Sequence, residues 1–342
     1  MSSPDTDANE AVSEQLRRLD RARRIKYGLW VGFLATTVGL TWWGMGYVAA
    51  NAGLAVGDVI DRFPDFLAFF GNFFPPDFHQ FTIYTQDEDI HGLDALWASL
   101  RDGGAPLVDS VFSARSSLVK ASLVTLLLGF MGTVLGFPLA LFFGVLGSER
   151  VVPFPLNFLF RGTMSAIRAI PALVWIFLYI PIGPPSQMTA VLAIATDTVG
   201  NLGRLFTDEL EEIDEGPIEA IRSTGASGTQ TVGFGMLSQV FRSYIAWTLY
   251  ILEINTRIAI SLGVVGAGGL GFLIRNSQDL FRFEQTAAGI VMVFIVVLSI
   301  ELVSSRVRAR LRPGEHDSTG VVEAVRSLFD PRKWAGLDRR EP

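Results

Sequence analysis

The chain contains no cysteine, which excludes disulfides, thiolate metal sites and cysteine nucleophiles from its chemistry. Lysine is nearly missing too. Lys26, Lys120 and Lys333 are the complete set, and none closes a Gly-x-x-x-x-Gly-Lys-Ser/Thr loop, the arrangement that cradles nucleotide phosphates. The chain therefore carries no ATP-driven motor of its own. Histidine is limited to His79, His91 and His316, and their spacing suggests neither a metal site nor a nucleophilic triad. Charged residues make up only 18%, with a net charge of −6, so the basic footprint of a nucleic-acid partner is absent. Catalysis by this chain, a resident cofactor and a resident metal are all unexpected.

What is abundant is apolar sequence. Of 342 residues 49% are hydrophobic, and the mean hydropathy is +0.37. The apolar residues cluster in runs near 27–49, 121–146, 164–183, 188–206, 240–264 and 285–305, each near the ~20 residues that cross a bilayer. In lipid only a helix satisfies its own backbone. The expectation is an all-α polytopic membrane protein with about six transmembrane helices. The run at 27–49 follows a polar leader, 1–26, and exceeds the ~7–15 apolar residues of a signal peptide, so it reads as an anchor.

Positive residues set the orientation. Arg17, Arg18, Arg21, Arg23, Arg24 and Lys26 precede the first run, and Arg306, Arg308, Arg310 and Arg312 follow the last. An even number of spans places both termini on one side, here the cytoplasm of a plasma-membrane protein. Residues 50–117, rich in aspartate with Phe73-Phe74-Pro75-Pro76 among them, then form an extracytoplasmic segment, a short folded cap with helical pieces. The leader reads either as a basic amphipathic helix on the inner surface or as a solvated tail. Residues 118–305 form a compact core of five spans, and 306–342 a cytoplasmic tail. Gly132 and Gly136 on the second span permit close helix contact, and Pro138 and Pro171 predict kinks.

The longest polar connection in the core is 207–239. Pro217 suits a first helical position, which puts Glu219 at N3, near the helix's positive end. Gly225 supplies a left-handed stop, Ala226-Ser227-Gly228 turns the chain, and a second helix runs from about Thr229 back to the membrane. Such a bracket is either an ordinary capped surface loop or a handle for a partner outside the membrane.

Glu219-Ala220-Ile221, Gly225 six residues after the glutamate and Leu237 twelve after the glycine resemble the "EAA" loop of binding-protein-dependent ABC transporter permeases. The family closes this loop with Ile-x-Leu-Pro, and this chain departs from it with Gly235-Met236-Leu237-Ser238. Further blocks look like the phosphonate-transport branch: Arg168-Ala169-Ile170-Pro171-Ala172-Leu173-Val174-Trp175, Gly200-Asn201-Leu202-Gly203-Arg204-Leu205-Phe206, Glu211-Glu212-Ile213-Asp214, Glu253-Ile254-Asn255-Thr256-Arg257, and Gly263 through Gly271. The resemblance covers most of 118–305. It implies an importer permease core of the type I, methionine- and phosphonate-permease-like kind, which carries a phosphonate or related phosphorus oxyanion, with phosphate, phosphite or another small anion as the alternative cargo. It also implies a homodimer, cytoplasmic ABC ATPase subunits holding ATP and magnesium, and an extracytoplasmic phosphonate-binding protein. Pro217, Glu219, Ala220, Ile221 and Gly225 become the ATPase-coupling residues.

Charges inside the spans each cost at least about 2.5–3.5 kcal/mol on insertion scales, so each must face a partner or a watery cavity. Glu253 and Arg257, four apart, suit a pair on one helix, and Arg168 suits a pair with Asp197. The alternatives are structural ion pairing, or a substrate pathway formed by Arg168, Asn201, Glu253, Asn255 and Arg257. Gly266-Ala267-Gly268-Gly269-Leu270-Gly271 spells a dinucleotide fingerprint, but that needs a preceding strand in a βαβ unit. An outer-end glycine segment (Gly266, Gly268, Gly269 and Gly271), close-packed or moving, is the better reading.

Overall fold

A computed structural model describes residues 4–52, 56–101 and 104–311, without the side chains of 4–22, 52 and 56. The tail beyond Leu311, and the side chains of the basic leader up to position 22, lie outside the described residues. The described residues are helical, with no strand, as an all-α membrane protein requires.

Two units are separable, Met1–Asn72 and Phe73–Pro342. The first holds α1 (Pro4–Ala52), α2 (Val56–Asp61) and α3 (Phe63–Gly71). Along α1 the large apolar side chains, such as Leu29, Phe33 and Trp42, are exposed.

The second unit opens with short helices α4 (Ile83–Asp87), α5 (Asp94–Arg101) and α6 (Ala105–Phe112). Thr82 caps α4, and its hydroxyl lies 3.0 Å from that of Ser99 on α5. Below them run α7 (Leu118–Gly147), α8 (Leu156–Arg168), α9 (Ala172–Leu178) and α10 (Gln187–Glu211). The chain continues through α11 (Glu215–Ser223), α12 (Gly228–Gln230) and α13 (Leu237–Leu262), with a π-helical stretch at Thr231–Met236 joining the last two. After a second π-helical stretch, Gly263–Ala267, come α14 (Gly269–Asp279) and α15 (Phe283–Leu311). Phe78, Phe81 and Ala95 of the first segment share a buried cluster with Leu118 of α7, Leu270 and Leu273 of α14 and Ala288 of α15.

Close packing of α7 on α10 organises the core. A Cβ on Gly132 would stand 2.4 Å from Ile194, and one on Gly136 2.6 Å from the Ala195 carbonyl. Gly144 meets Phe206 and Gly203 in the same way. The Gly132 and Gly136 pair thus does what its spacing predicts, bringing backbones into contact where lipid supplies no hydrophobic drive.

Span assignment differs from the sequence expectation. By length and composition three helices can cross a membrane among the described residues: Leu118–Gly147, Gly228–Ala267 and Phe283–Leu311. The run at 164–183 is not one straight span. It breaks into α8 and α9, bent by 91°, with Pro171 as the α9 N-cap, because a proline has no amide to continue the earlier helix. This bent pair is a fourth candidate. Pro138, by contrast, lies inside an uninterrupted α7. The runs at 27–49 and 188–206 fall outside the three. Glycine, threonine and tryptophan dilute α1, and α10 is so widely buried in the bundle that polar Thr189, Asp197 and Asn201 never need to face lipid.

His79 and His91, scattered in sequence, stack with ring centroids 4.4 Å apart. Asp77 beside them is buried. Burial by itself raises its pKa, but the Gly92 amide, the His91 ring and the His79 amide outweigh that and hold it below the ordinary range. The hydrogen bond to Asp77 pushes His91 upward, against its slight desolvation.

Candidate functional site

The polar connection after α10 is built as a bracket. Asp214, in extended conformation, precedes α11, which begins at Glu215. The helix thus starts two residues before the point expected from Pro217. Pro217 is the third helical residue and Glu219 the fifth, so Glu215, not Glu219, is the acid in the first turn. The reason is local: Asp214 and Gly216 both suit an N-cap, and Pro217 tolerates any first-turn position, where its missing amide costs nothing. The stop at Gly225 is as expected. Its φ is +82°, and its amide donates to the Arg222 carbonyl at 3.0 Å. Ser227 then caps α12 in a reciprocal box with Gln230. No proline stands at 238, and the helix runs on from Gly228 past this point, breaking only at Gly266, whose φ of +112° is non-helical.

The inner face of α11 is anchored. Ile218 is buried in a cluster with Leu210 at the end of α10, Ile213 just after it, Met236 before α13, Val240 and Tyr244 of α13, and Ala140 of α7. Ile221 lies near Gly235, where an added Cβ would come within 3.3 Å of it. Glu219, Ala220, Arg222 and Ser223 face outward and are exposed. Through Ile218, α11 packs on the C-terminal end of α10 and the N-terminal end of α13. These ends are themselves tied: Tyr244 donates to the Phe206 carbonyl at 2.9 Å, and Trp247 to Glu209 at 2.6 Å. Arg161 of α8 pairs with Glu211 and donates to the Gly147 carbonyl at 2.7 Å.

A second feature is a cleft of about 330 Å³ lined by Arg168, Asp197, Asn201, Arg204, Asp208 and Asn255, among others. Of the five proposed pathway residues, Arg168, Asn201 and Asn255 meet here. Glu253 and Arg257 do not. The expected Glu253–Arg257 pair is corrected: Glu253 accepts from Arg308 at 2.6 Å, and Arg257 stands 3.7 Å from Glu301. Both pairs join α13 to α15, because the face of α13 that carries these charges packs on α15. The expected Arg168–Asp197 pair is also absent among the described ion pairs; Asp197 instead accepts from Asn201 at 2.9 Å. Arg204 is engaged by Asp208 at 3.0 Å.

Asn255 is buried and donates to Thr133 of α7 and Thr198 of α10, both at 2.8 Å, tying three helices. Its Oδ1 has no partner. Asn255→Ala should lower stability by roughly 1 kcal/mol, two bonds at the ~0.6 kcal/mol average inside membranes, readable as a modest drop in the detergent melting temperature.

The outer glycine segment separates into two roles. Gly266, Gly268 and Gly269 have φ of +112°, +85° and +69°, a turn that only glycine adopts without strain. Gly271 lies against the chain, with a Cβ reaching 1.9 Å from the Ile260 carbonyl. A cavity of about 580 Å³ opens beside them, lined by Lys120, Ser186, Gln187 and Phe272 among others.

A family model described as "Binding-protein-dependent transport system inner membrane component" matches residues 132–315. The phosphate-import permease protein PhnE of Mycolicibacterium smegmatis is 32% identical over 195 residues, 57% of this chain and 37% of that one. A putative phosphite transport system permease, HtxE of Stutzerimonas stutzeri, is 35% identical over 44% of this chain and 58% of its own length. The putative cryptic phosphonate transport system permease PhnE2 of Escherichia coli K12 is 37% identical over 34% of this chain and 97% of its own. The match thus spans less than two thirds of the length of each of the first two relatives. The fold is shared with a chain of the MetNI methionine ABC transporter, solved in inward-facing conformations, at a TM-score of 0.52 and 22% identity over 57% of this chain and 96% of that one.

Proposed function

The chain belongs to the family of binding-protein-dependent transport system inner membrane components, and from that premise we propose that it is the permease of an ATP-driven importer for a phosphorus oxyanion. The carrying observation is α11: a short helix that shows Glu219 and Ala220 to solvent and is rooted through Ile218 in the cluster joining α7, α10 and α13. A cytoplasmic ABC ATPase, with its ATP and magnesium, grips the exposed face. Closing of the ATPase moves α11, and the inner ends of α10 and α13 follow. Two copies of the chain form the gate, both termini lie in the cytoplasm, and an external binding protein delivers the cargo. The motion is alternating access by rigid-body rocking.

The cargo reading has two supports. The relatives are named for phosphate, phosphite and phosphonate transport, which share a tetrahedral phosphorus oxyanion. Arg168 in the cleft supplies a guanidinium whose planar fork matches such oxygens. Asp197 and Asp208 in the same cleft temper that attraction, as a conduit that must release its cargo requires. Arg257 lies outside this cleft, but, half-exposed and only loosely paired with Glu301, it is a second and separate point of passing contact.

Reconstitution with the ATPase and binding protein of the same system, in lipid vesicles, tests this reading. Uptake of radiolabelled phosphonate, phosphite or phosphate should require ATP. Arg168→Gln and Arg257→Gln should slow uptake while ATP hydrolysis stimulated by the binding protein persists. Uptake at wild-type rates in both variants removes these arginines from the pathway. Gly225→Val should uncouple hydrolysis from uptake, since a β-branched residue at φ +82° carries at least the ~1–2 kcal/mol left-handed penalty of L-residues.

A further inference from the structure

The stacked histidines in the segment before α7 form a constellation that transport through the core does not use. His79 Nδ1 lies 3.9 Å from Asp89 Oδ1, and His91 Nε2 lies 3.2 Å from the same oxygen. One ligand atom from each residue falls within 4.8 Å of the others. We propose that His79, Asp89 and His91 bind one divalent transition-metal ion of the zinc class, with water as the fourth ligand.

Three observations carry the proposal. First, His79 Nδ1 is buried and has no hydrogen-bond partner, an unsatisfied polar atom that a ligand would satisfy. Second, His91 is already oriented like a ligand. Its Nδ1 lies 2.9 Å from Asp77 Oδ2, which leaves Nε2 to ligate, the carboxylate–histidine–metal relay that fixes a tautomer and raises basicity. Asp77 is itself pinned, its Oδ1 accepting from the Gly92 amide at 2.7 Å and the His79 amide at 3.1 Å. Third, the spacing fits. Two ligands at ~2.0–2.1 Å from a tetrahedral ion stand about 3.4 Å apart, between the 3.2 and 3.9 Å found to Asp89.

The donor set of two imidazoles and one carboxylate suits zinc-class ions and not magnesium or calcium, which take oxygen ligands. Ligation requires one adjustment. The two rings are nearly parallel, 10° apart, and an ion in the plane of both needs one ring to tilt. The His91 side chain is 56% exposed and that of Asp89 84%, so both can move toward the more buried His79. The bound ion would staple the chain between 79 and 91. That segment is anchored at Asp77, whose amide donates to the Glu284 carbonyl at 3.0 Å, so the staple would also steady the start of α15.

The test uses the full chain in detergent, purified without a polyhistidine tag and stripped with chelator. Cobalt(II) serves as the optical probe, with zinc(II) as competitor. The expected result is one cobalt per chain with tetrahedral visible absorption, displaced by one equivalent of zinc and untouched by millimolar magnesium. Asp77→Asn, a positioning change, should weaken binding about 10–100-fold with the stoichiometry retained. His79→Gln and His91→Gln should each weaken it more, and His316→Gln should leave it unchanged. Zinc should raise the melting temperature of the wild type but not of the folded His79→Gln/His91→Gln double variant. Absence of saturable one-to-one binding, or binding that survives in that double variant, overturns the proposal.

Discussion

Gly271→Ala is expected to destabilise the core by about 3 kcal/mol or more, the upper range for overpacking. The new Cβ would stand 1.9 Å from the Ile260 carbonyl and 2.9 Å from the Val264 amide. Both are backbone atoms, so no side-chain rotation relieves the clash, and α14 must lift away from the end of α13. The facing residue, Gly263, is also tight, with its own Cβ position 2.5 Å from the Gly268 carbonyl. Relief therefore cannot come from the partner strand of backbone either. Gly39→Ala, on α1 with nothing within 4 Å, is the matched control and should leave the melting temperature unchanged or slightly raised. Equal melting temperatures for Gly271→Ala and wild type would show that the α13–α14 crossing is looser than its geometry.

Arg308→Ala should cost about 3–5 kcal/mol, the range for removing one partner of a buried pair. Glu253 is 5% exposed and has its Oε1 2.6 Å from Arg308. Truncating the arginine strands a carboxylate among helices. The double variant Glu253→Gln/Arg308→Gln removes both charges and should recover most of the loss, because a buried pair gains little net free energy over neutral neighbours. A thermal unfolding series in detergent distinguishes these outcomes. If the double variant is as unstable as Arg308→Ala, desolvation of Glu253 is not the cause. This pair also changes the role of Glu253: it ties α13 to α15 and does not line the cleft that holds Arg168 and Asn201.

Much of this architecture is legible in the sequence because its determinants are local. Gly225 reads as a left-handed stop from its position after Arg222-Ser223-Thr224, and its φ agrees. The Gly132 and Gly136 spacing permits a close helix contact, and the structure supplies α10 as its partner. What fails is what depends on distant chain. Glu253 has Arg257 four residues away but pairs with Arg308, 55 residues on, since which face of α13 meets α15 is a packing outcome. His79 and His91 carry no metal spacing in sequence, yet a turn held by Asp77 stacks them. The break at Pro171 lies between these cases. The proline predicts a bend, but the 91° angle depends on how α8 and α9 pack against α10. The start of α11 differs from the expectation for a smaller reason: Asp214 and Gly216, two residues apart, can each cap the helix, and it begins after the first.

The account turns on α11 as the contact through which an ATPase drives the membrane core. The native chain has no cysteine, so a single Ala220→Cys on the exposed face gives a cross-linking probe without background. In the assembled complex, with cysteines scanned along the groove of the ATPase, Ala220→Cys should form a disulfide with the ATPase, and its yield should change between nucleotide-free and ATP-bound states. An intact complex in which this position never cross-links to the ATPase in any nucleotide state would contradict the account.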